Sequence, residues 1–317
     1  MSSKTIAKFS LFVIWLMASA AIFSGCISHS QNLDRKNASD LFQPPKVVGR
    51  LASPDITEAS GITVSKCQPD VFWTMNDSGD DAFIYAFNSA GANLGTWRVT
   101  NAKNNDWEDI AEFKDQKGQC FVYIGDIGDN GGKRDFRTIY RVAEPVVSSE
   151  SKDKTRMNAL VTAPAESLNY STDAMKMDSE TLLVHPTTGD IYVLTKSRKD
   201  PSYVFKISPA LGAPEVQKAV RIAEIKVPSV PFGLLTGGDI SPDGRRVVLC
   251  DYLDGYELSL PTDANSFDDI WKQQPVEIDL GDRDTGEAVG YGTDGNTVFA
   301  TTEGKNAPII ELKRKQP

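Results

Sequence analysis

Histidine and cysteine are scarce in this 317-residue chain, and their scarcity removes whole classes of chemistry. The two histidines are His29, in a polar N-terminal stretch, and His185, beside the turn Pro186-Thr187-Thr188-Gly189. With His29 in that stretch and His185 beside a turn expected on the opposite face, a Ser-His-Asp triad and a His-ligated transition-metal centre are both disfavoured. The four cysteines contain no Cys-x-x-Cys pair, which disfavours a thiolate zinc site, and they are too few for a disulfide scaffold. A chain of this length buries a large core without one. An excess of basic charge is missing as well: 34 Lys and Arg stand against 43 Asp and Glu, so nucleic acid is not an expected partner. No stretch shows the period of a long amphipathic helix.

What is present begins with an export signal. Lys4 and Lys8 precede the apolar run FSLFVIWLMASAAIF, and Ser24 and Gly25 lead into Cys26. That order predicts a signal peptide over residues 1–25, since the run is shorter than a spanning helix prefers. The string FSGC resembles the lipobox of bacterial lipoproteins, which implies that Cys26 becomes the lipidated first residue of the mature chain. Ile27 is not the aspartate associated with inner-membrane retention, so the resemblance implies an outer-membrane lipoprotein. Residues 26–45, polar and ending in Pro44-Pro45, read as a flexible tether, and residues 46–317 as one domain. Removing residues 1–25 leaves 32 basic against 43 acidic residues, a net charge of −11.

Self-similarity organises the domain. The segments EASGITVS from Glu58, EDIAEF from Glu108, ETLLVHP from Glu180, TGGDISPDG from Thr236 and EAVGYGTDG from Glu287 recur at intervals of 50 to 72 residues. Each is followed by a second and a third apolar run, and fourth strands are expected at LGTWRVT, AESLNYS, VRIAEIKV and VEIDL. Asp-Gly pairs at 243–244 and 294–295, and Gly189 in the third unit, supply the positive φ of tight hairpins. The predicted fold is an all-β propeller of five blades. The last unit lacks a fourth strand, and KVVGRLA (46–52) is expected to fill the gap by pairing the two chain ends. A sixth blade would need more β-patterned sequence than residues 146–160 hold; that segment reads as an exposed insertion loop. Cys67 and Cys120 stand just before strand-like runs at matching places in consecutive repeats, compatible with a disulfide in an oxidising periplasm, and Cys250 reads as a buried thiol.

The strings NDSGD (76–80), DWEDIA (106–111), YIGDIGDN (123–130), LLVHPTTGDIYVLTK (182–196) and TGGDISPDG (236–244) resemble a widespread set of exported bacterial β-propeller proteins. The resemblance spans nearly all of the chain after the tether. It implies the propeller fold and no settled activity. The approach to Glu180, YSTDAMKMDSE, is longer and richer in methionine than the Tyr-Pro-Asp-Gly approach of that family.

In a propeller the first strand of each blade lines the channel and the second returns to the face where the first began. One rim should therefore gather Glu58, Glu108, Glu180 and Glu287 from strand starts, with Asp106 and Asp178 two residues before their glutamates. Strand ends should add Asn76, Asp77, Asp126, Asp129, Asn130, Lys196, Asp251 and Glu303. Crowded carboxylates need a compensating cation or hydrogen-bond donors. A hard ion, Ca²⁺ above all, suits Asp106, Glu108, Asp126, Asp129, Asn130, Asp178 and Glu180. The remaining rim residues are then expected to bind a ligand. In the fourth unit Thr236 replaces the glutamate and Asp239 is three residues out of register. Trp73, Trp97 and Trp107 read as core residues rather than a sugar platform.

Three functions fit: an anchored monomeric protein that binds Ca²⁺ and a small ligand or envelope partner, a metal-dependent hydrolase of phosphoesterase type, and a scaffold whose acids only fasten its blades. Acid and base work by Glu108 with Glu180 would depend on their separation.

Overall fold

Strand side chains alternate between two sides, and in this chain both sides of nearly every inner strand are buried. In β3 (Phe72–Asn76), Trp73 and Met75 face one neighbouring blade while Phe72 faces the other. A sheet apolar on both faces needs a partner on each, and a ring of sheets provides both.

The computed structural model describes residues 40–172, 177–198, 201–227 and 234–316. The expected signal peptide, Cys26 and the tether up to residue 39 lie outside the described residues, as do residues 173–176 in the approach to Glu180. After β1 (Lys46–Arg50), blade 1 comprises β2 (Ala59–Val64), β3, β4 (Phe83–Phe87) and β5 (Asn93–Arg98). Blade 2 is β6 (Trp107–Lys114), β7 (Cys120–Asp126) and β8 (Arg137–Ala143), then, after the short β9 (Leu160–Val161), β10 (Glu166–Ser171). Blade 3 is β11 (Ser179–Val184), β12 (Ile191–Thr195), β13 (Ser202–Ile207) and, beyond β14 (Gln217–Lys218), β15 (Val220–Ile225). Blade 4 is β16 (Gly237–Ile240), β17 (Arg246–Cys250), β18 (Gly255–Ser259) and β19 (Val276–Ile278). Blade 5 is β20 (Ala288–Tyr291), β21 (Thr297–Thr301) and β22 (Pro308–Lys313), completed by β1 in antiparallel register, Val47 opposite Ile310.

The molecule is a five-bladed β-propeller. Strands β2, β6, β11, β16 and β20 contact one another in a closed circuit, and five apolar clusters fill the five gaps between blades. Trp73, Trp97 and Trp107 all lie in the cluster between blades 1 and 2. The first strands start, and the second strands end, at one face, here called the mouth. Hairpins joining first to second strands form the opposite, hairpin face, where Gly189, Gly244 and Gly295 adopt φ of 72°, 68° and 65°.

Two segments differ from expectation. Residues 146–160 are not a free loop: Ser151 is buried and donates to Leu94 O, and β9 runs parallel to β5 along the edge of blade 1. In the same way β14 of blade 3 pairs with β10, and the 3-10 turn Phe267–Lys272 of blade 4 packs on β15. Each of these three outer edges is covered by a segment from the following blade, which withholds it from edge-to-edge pairing. The expected tether also ends early: Phe42 is buried under the Arg314 guanidinium and Gln43 N–H donates to Lys313 O. Cys67 and Cys120 are disulfide-bonded, joining blade 1 to blade 2, and Cys250 is a buried free thiol.

Candidate functional site

The mouth is shaped by a repeated irregularity. In blades 1, 2 and 3 the first strand shifts register between Ala59 and Gly61, Trp107 and Asp109, and Ser179 and Thr181. The inserted residues are Ser60, Glu108 and Glu180, and a bulge re-aims the side chain it carries. Glu58 is therefore not the counterpart of Glu108 and Glu180. Its carbonyl accepts from Asp77 N–H, as Asp178 O accepts from Lys196 N–H and Asp106 O from Gly128 N–H. Glu58, Asp106 and Asp178 are equivalent, and Ser60 holds the glutamate position in blade 1. Ser60 Oγ donates to Glu287 Oε2 at 3.3 Å.

Two carboxylate groups of three converge. Asp77, Asp106 and Glu108 each place an oxygen within 4.8 Å of the others, and Glu108, Asp178 and Glu180 do the same, so Glu108 belongs to both. Glu108 and Glu180 are buried, whereas Asp77, Asp106 and Asp178 are half-buried and open toward the mouth. A Cβ on Gly128 would stand 2.1 Å from Glu108 Oε1 and 2.5 Å from the Asp106 carboxyl, so only glycine lets the GDIGDN turn close over the pair. Asp178 is oriented by Asp129 N–H at 2.7 Å. Lys196 Nζ lies 2.6 Å from Glu180 Oε1 and over the Tyr252 ring.

Crowding and burial act in one direction. Burial, then the charges of Asp77 and Asp178, pushes Asp106 up to about 6. Burial and then Glu180, Asp77, Asp106 and Asp178 hold Glu108 well above the usual carboxylate range. Glu180 is raised by burial in spite of Lys196, and Glu287 by burial, Glu180 and Glu303. Glu58 is raised by burial, Asp77 and Glu303, which marks a second acidic corner between blades 5 and 1.

Other expected rim residues have different work. Asp126 accepts from Asn105 Nδ2, Asp106 N–H and Arg134, fixing the approach to β6, and is no part of either triad. Asp129 accepts from Lys133 and Arg134 N–H and pairs with buried Arg137 at 3.0 Å, closing its own loop. Asn130 is exposed and also outside both triads. Asn76 accepts from Thr57 and Glu58 N–H and donates to Asp55 O and Asp80. Asp251 caps its turn through Leu253 and Asp254 N–H and accepts from Tyr256 Oη. Asn76, Asp126, Asp129 and Asp251 point to loop building, because loop N–H groups reach them before the channel does.

Two acids, buried Asp109 and half-buried Asp239, escaped the sequence reading as functional pieces. Asp109 accepts from Ile110 and Leu182 N–H, and Asp239 from Ile240 and Tyr291 N–H, each fastening its blade to the next. The repeated Asp-Ile step in EDIA and GGDIS was the available signal. His185 lies on the hairpin face, where its Nδ1 caps Thr187 and Thr188.

All donors in the two triads are carboxylate oxygens, which suits a hard cation with a high coordination number. Glu108 and Glu180 place oxygens within 4.8 Å of each other, closer than the roughly 6.5–9.5 Å between the carboxyls of inverting glycosidases.

No protein-family model matches the chain, and no curated protein does. Among solved structures, a crystal structure of a protein from Lactobacillus plantarum is similar over 81% of this chain and 70% of that one, with 15% identity and a TM-score of 0.38.

Proposed function

We propose that the propeller is the body of an outer-membrane lipoprotein, anchored through Cys26, whose mouth holds a divalent cation and, with it, a small ligand or envelope partner. The observation that carries the reading is the pair of carboxylate triads sharing buried Glu108. Acids this close need protons or a cation to offset their repulsion, and a cation at either triad would satisfy three carboxylates at once. Asp77, Asp106, Glu108, Asp178 and Glu180 are the proposed ligands. Ca²⁺ is the favoured ion because it takes six to eight oxygens in irregular geometry, whereas Mg²⁺ demands a near-ideal octahedron. Glu58, Glu287, Glu303 and Lys196 would then face the ligand. Blade fastening falls to Asp109 and Asp239, which weakens the scaffold reading of the rim acids.

The test is thermal unfolding of metal-stripped protein titrated with Ca²⁺, Mg²⁺ and Zn²⁺, with metal analysis of the purified chain. Saturation at a hundred times Kd should stabilise by about 2.7 kcal/mol. Ca²⁺ should give the largest rise, and Glu108→Gln should abolish it. Absence of bound metal together with an unchanged melting curve would remove the site. Anchoring is tested separately: the wild type should incorporate palmitate, and Cys26→Ser should not. Lys196 beside the acids favours one further reading, a metal-dependent phosphoesterase, which turnover of phosphate esters in Ca²⁺ would support and lack of turnover would exclude.

A further inference from the structure

The direction of the strands decides where the carboxylate mouth points. β22 runs from Pro308 at the mouth to Lys313 near the hairpin face, a rise of about 16 Å at roughly 3.3 Å per residue. Arg314 N–H then donates to Asn296 O in the fifth hairpin turn, and Lys315 N–H donates to Leu41 O. Phe42 bridges to Arg314, and Asp40 pairs with Lys315. The chain therefore joins the propeller at its hairpin face, opposite Asp106, Glu108, Asp178 and Glu180.

Glu58, Asp77, Asp106, Asp178 and Glu303 all have exposed or half-buried positions at the mouth. On the hairpin face Lys117 and Arg245 are exposed, as are Asp70, Asp243 and Asp294, while Lys313 and Lys315 pair with Glu311 and Asp40.

We infer that the anchored molecule rests with its hairpin face toward the membrane and its mouth turned away, so that the mouth serves a water-soluble ligand and not headgroups of its own bilayer. The inference rests on the proposed lipid at Cys26. It is tested with the full-length lipidated chain in vesicles of phosphatidylethanolamine and phosphatidylglycerol that contain a lipid with a nitroxide on its headgroup. Two variants carry one fluorophore each, Ser78→Cys in the mouth turn and Lys117→Cys in a hairpin turn. Both positions are exposed, and the disulfide and buried Cys250 leave the new thiols as the labelling sites. The label at 117 should be quenched several-fold more strongly than the label at 78. Equal quenching, or the reverse order, on chains that float with the vesicles overturns the orientation and leaves the anchor standing. Chains that do not float overturn the anchor and the orientation with it.

Discussion

Asp109 and Glu108 are consecutive, both are buried, and they lead opposite lives. Asp109 is surrounded by donors: Ile110 N–H at 2.8 Å and Leu182 N–H at 2.9 Å take its two oxygens. Glu108 is surrounded by acceptors, the carboxylates of Asp77, Asp106, Asp178 and Glu180. The bulge at Glu108 turns neighbouring side chains toward different surroundings, one between strands and one into the mouth. Burial of an acid is therefore no mark of function by itself; what separates a fastener from a binding group is whether the protein supplies the donors.

The comparison breaks most visibly if the fastener is removed. Asp109→Ala should strand two buried N–H groups and lower stability by about 3 kcal/mol in denaturant unfolding, with or without Ca²⁺. Asp239→Ala should behave alike, through Ile240 and Tyr291. Lys196→Met is next: it leaves buried Glu180 without its 2.6 Å partner and should cost about 2 kcal/mol in metal-free protein, since the carboxyl can protonate. A ligand cation should recover part of that loss.

Acidity sharpens the contrast further. Asp106, Glu108, Glu180 and Glu287 hold protons more tightly folded than unfolded. Their contribution is full below the unfolded value and is lost as pH rises through the folded one, for Asp106 from 3.8 to about 6. Metal-free protein should accordingly melt at lower temperature as pH rises across that interval and beyond, and saturating Ca²⁺ should flatten the fall. A metal-free melting temperature that rises over the same range would refute the crowding. Glu108→Gln should be neutral, or stabilising by up to about 1 kcal/mol, in metal-free protein at pH 8, because it removes a repelled charge. The smallest effect belongs to Thr181, at the register position of Asp109 in blade 3, whose buried hydroxyl has no partner among the described residues. Thr181→Val should leave stability unchanged or raise it by a few tenths of a kcal/mol in the same unfolding assay.

The strands were legible because their signal is local. Short apolar runs such as FIYAF and DIYVLT, and the glycines at 189, 244 and 295, mark strands and turns with residues a few positions apart. The site was legible only in outline. Glu108, Glu180, Asp106, Asp178 and Asp77 come together as expected of strand starts and ends, but Glu58 was aligned two residues away from its place, because a bulge leaves no trace in composition. Asp126, Asp129 and Asn130 looked like ligands on account of GDIGDN. Loop closure takes the carboxylates of Asp126 and Asp129, and leaves Asn130 pointing into solvent. Residues 146–160 read as an exposed loop because polar sequence does not announce that Ser151 will find Leu94 O across a blade edge.

By itself the sequence determined five meanders, the pairing of the chain ends that closes the ring, and an acidic rim, since each follows from periodicity and repeat spacing along the chain. Only the tertiary structure decided which acids meet each other and which meet backbone donors. That choice depends on a one-residue bulge and on N–H groups brought from other blades, and a carboxylate goes to the nearest donor in space, whatever its place in the chain.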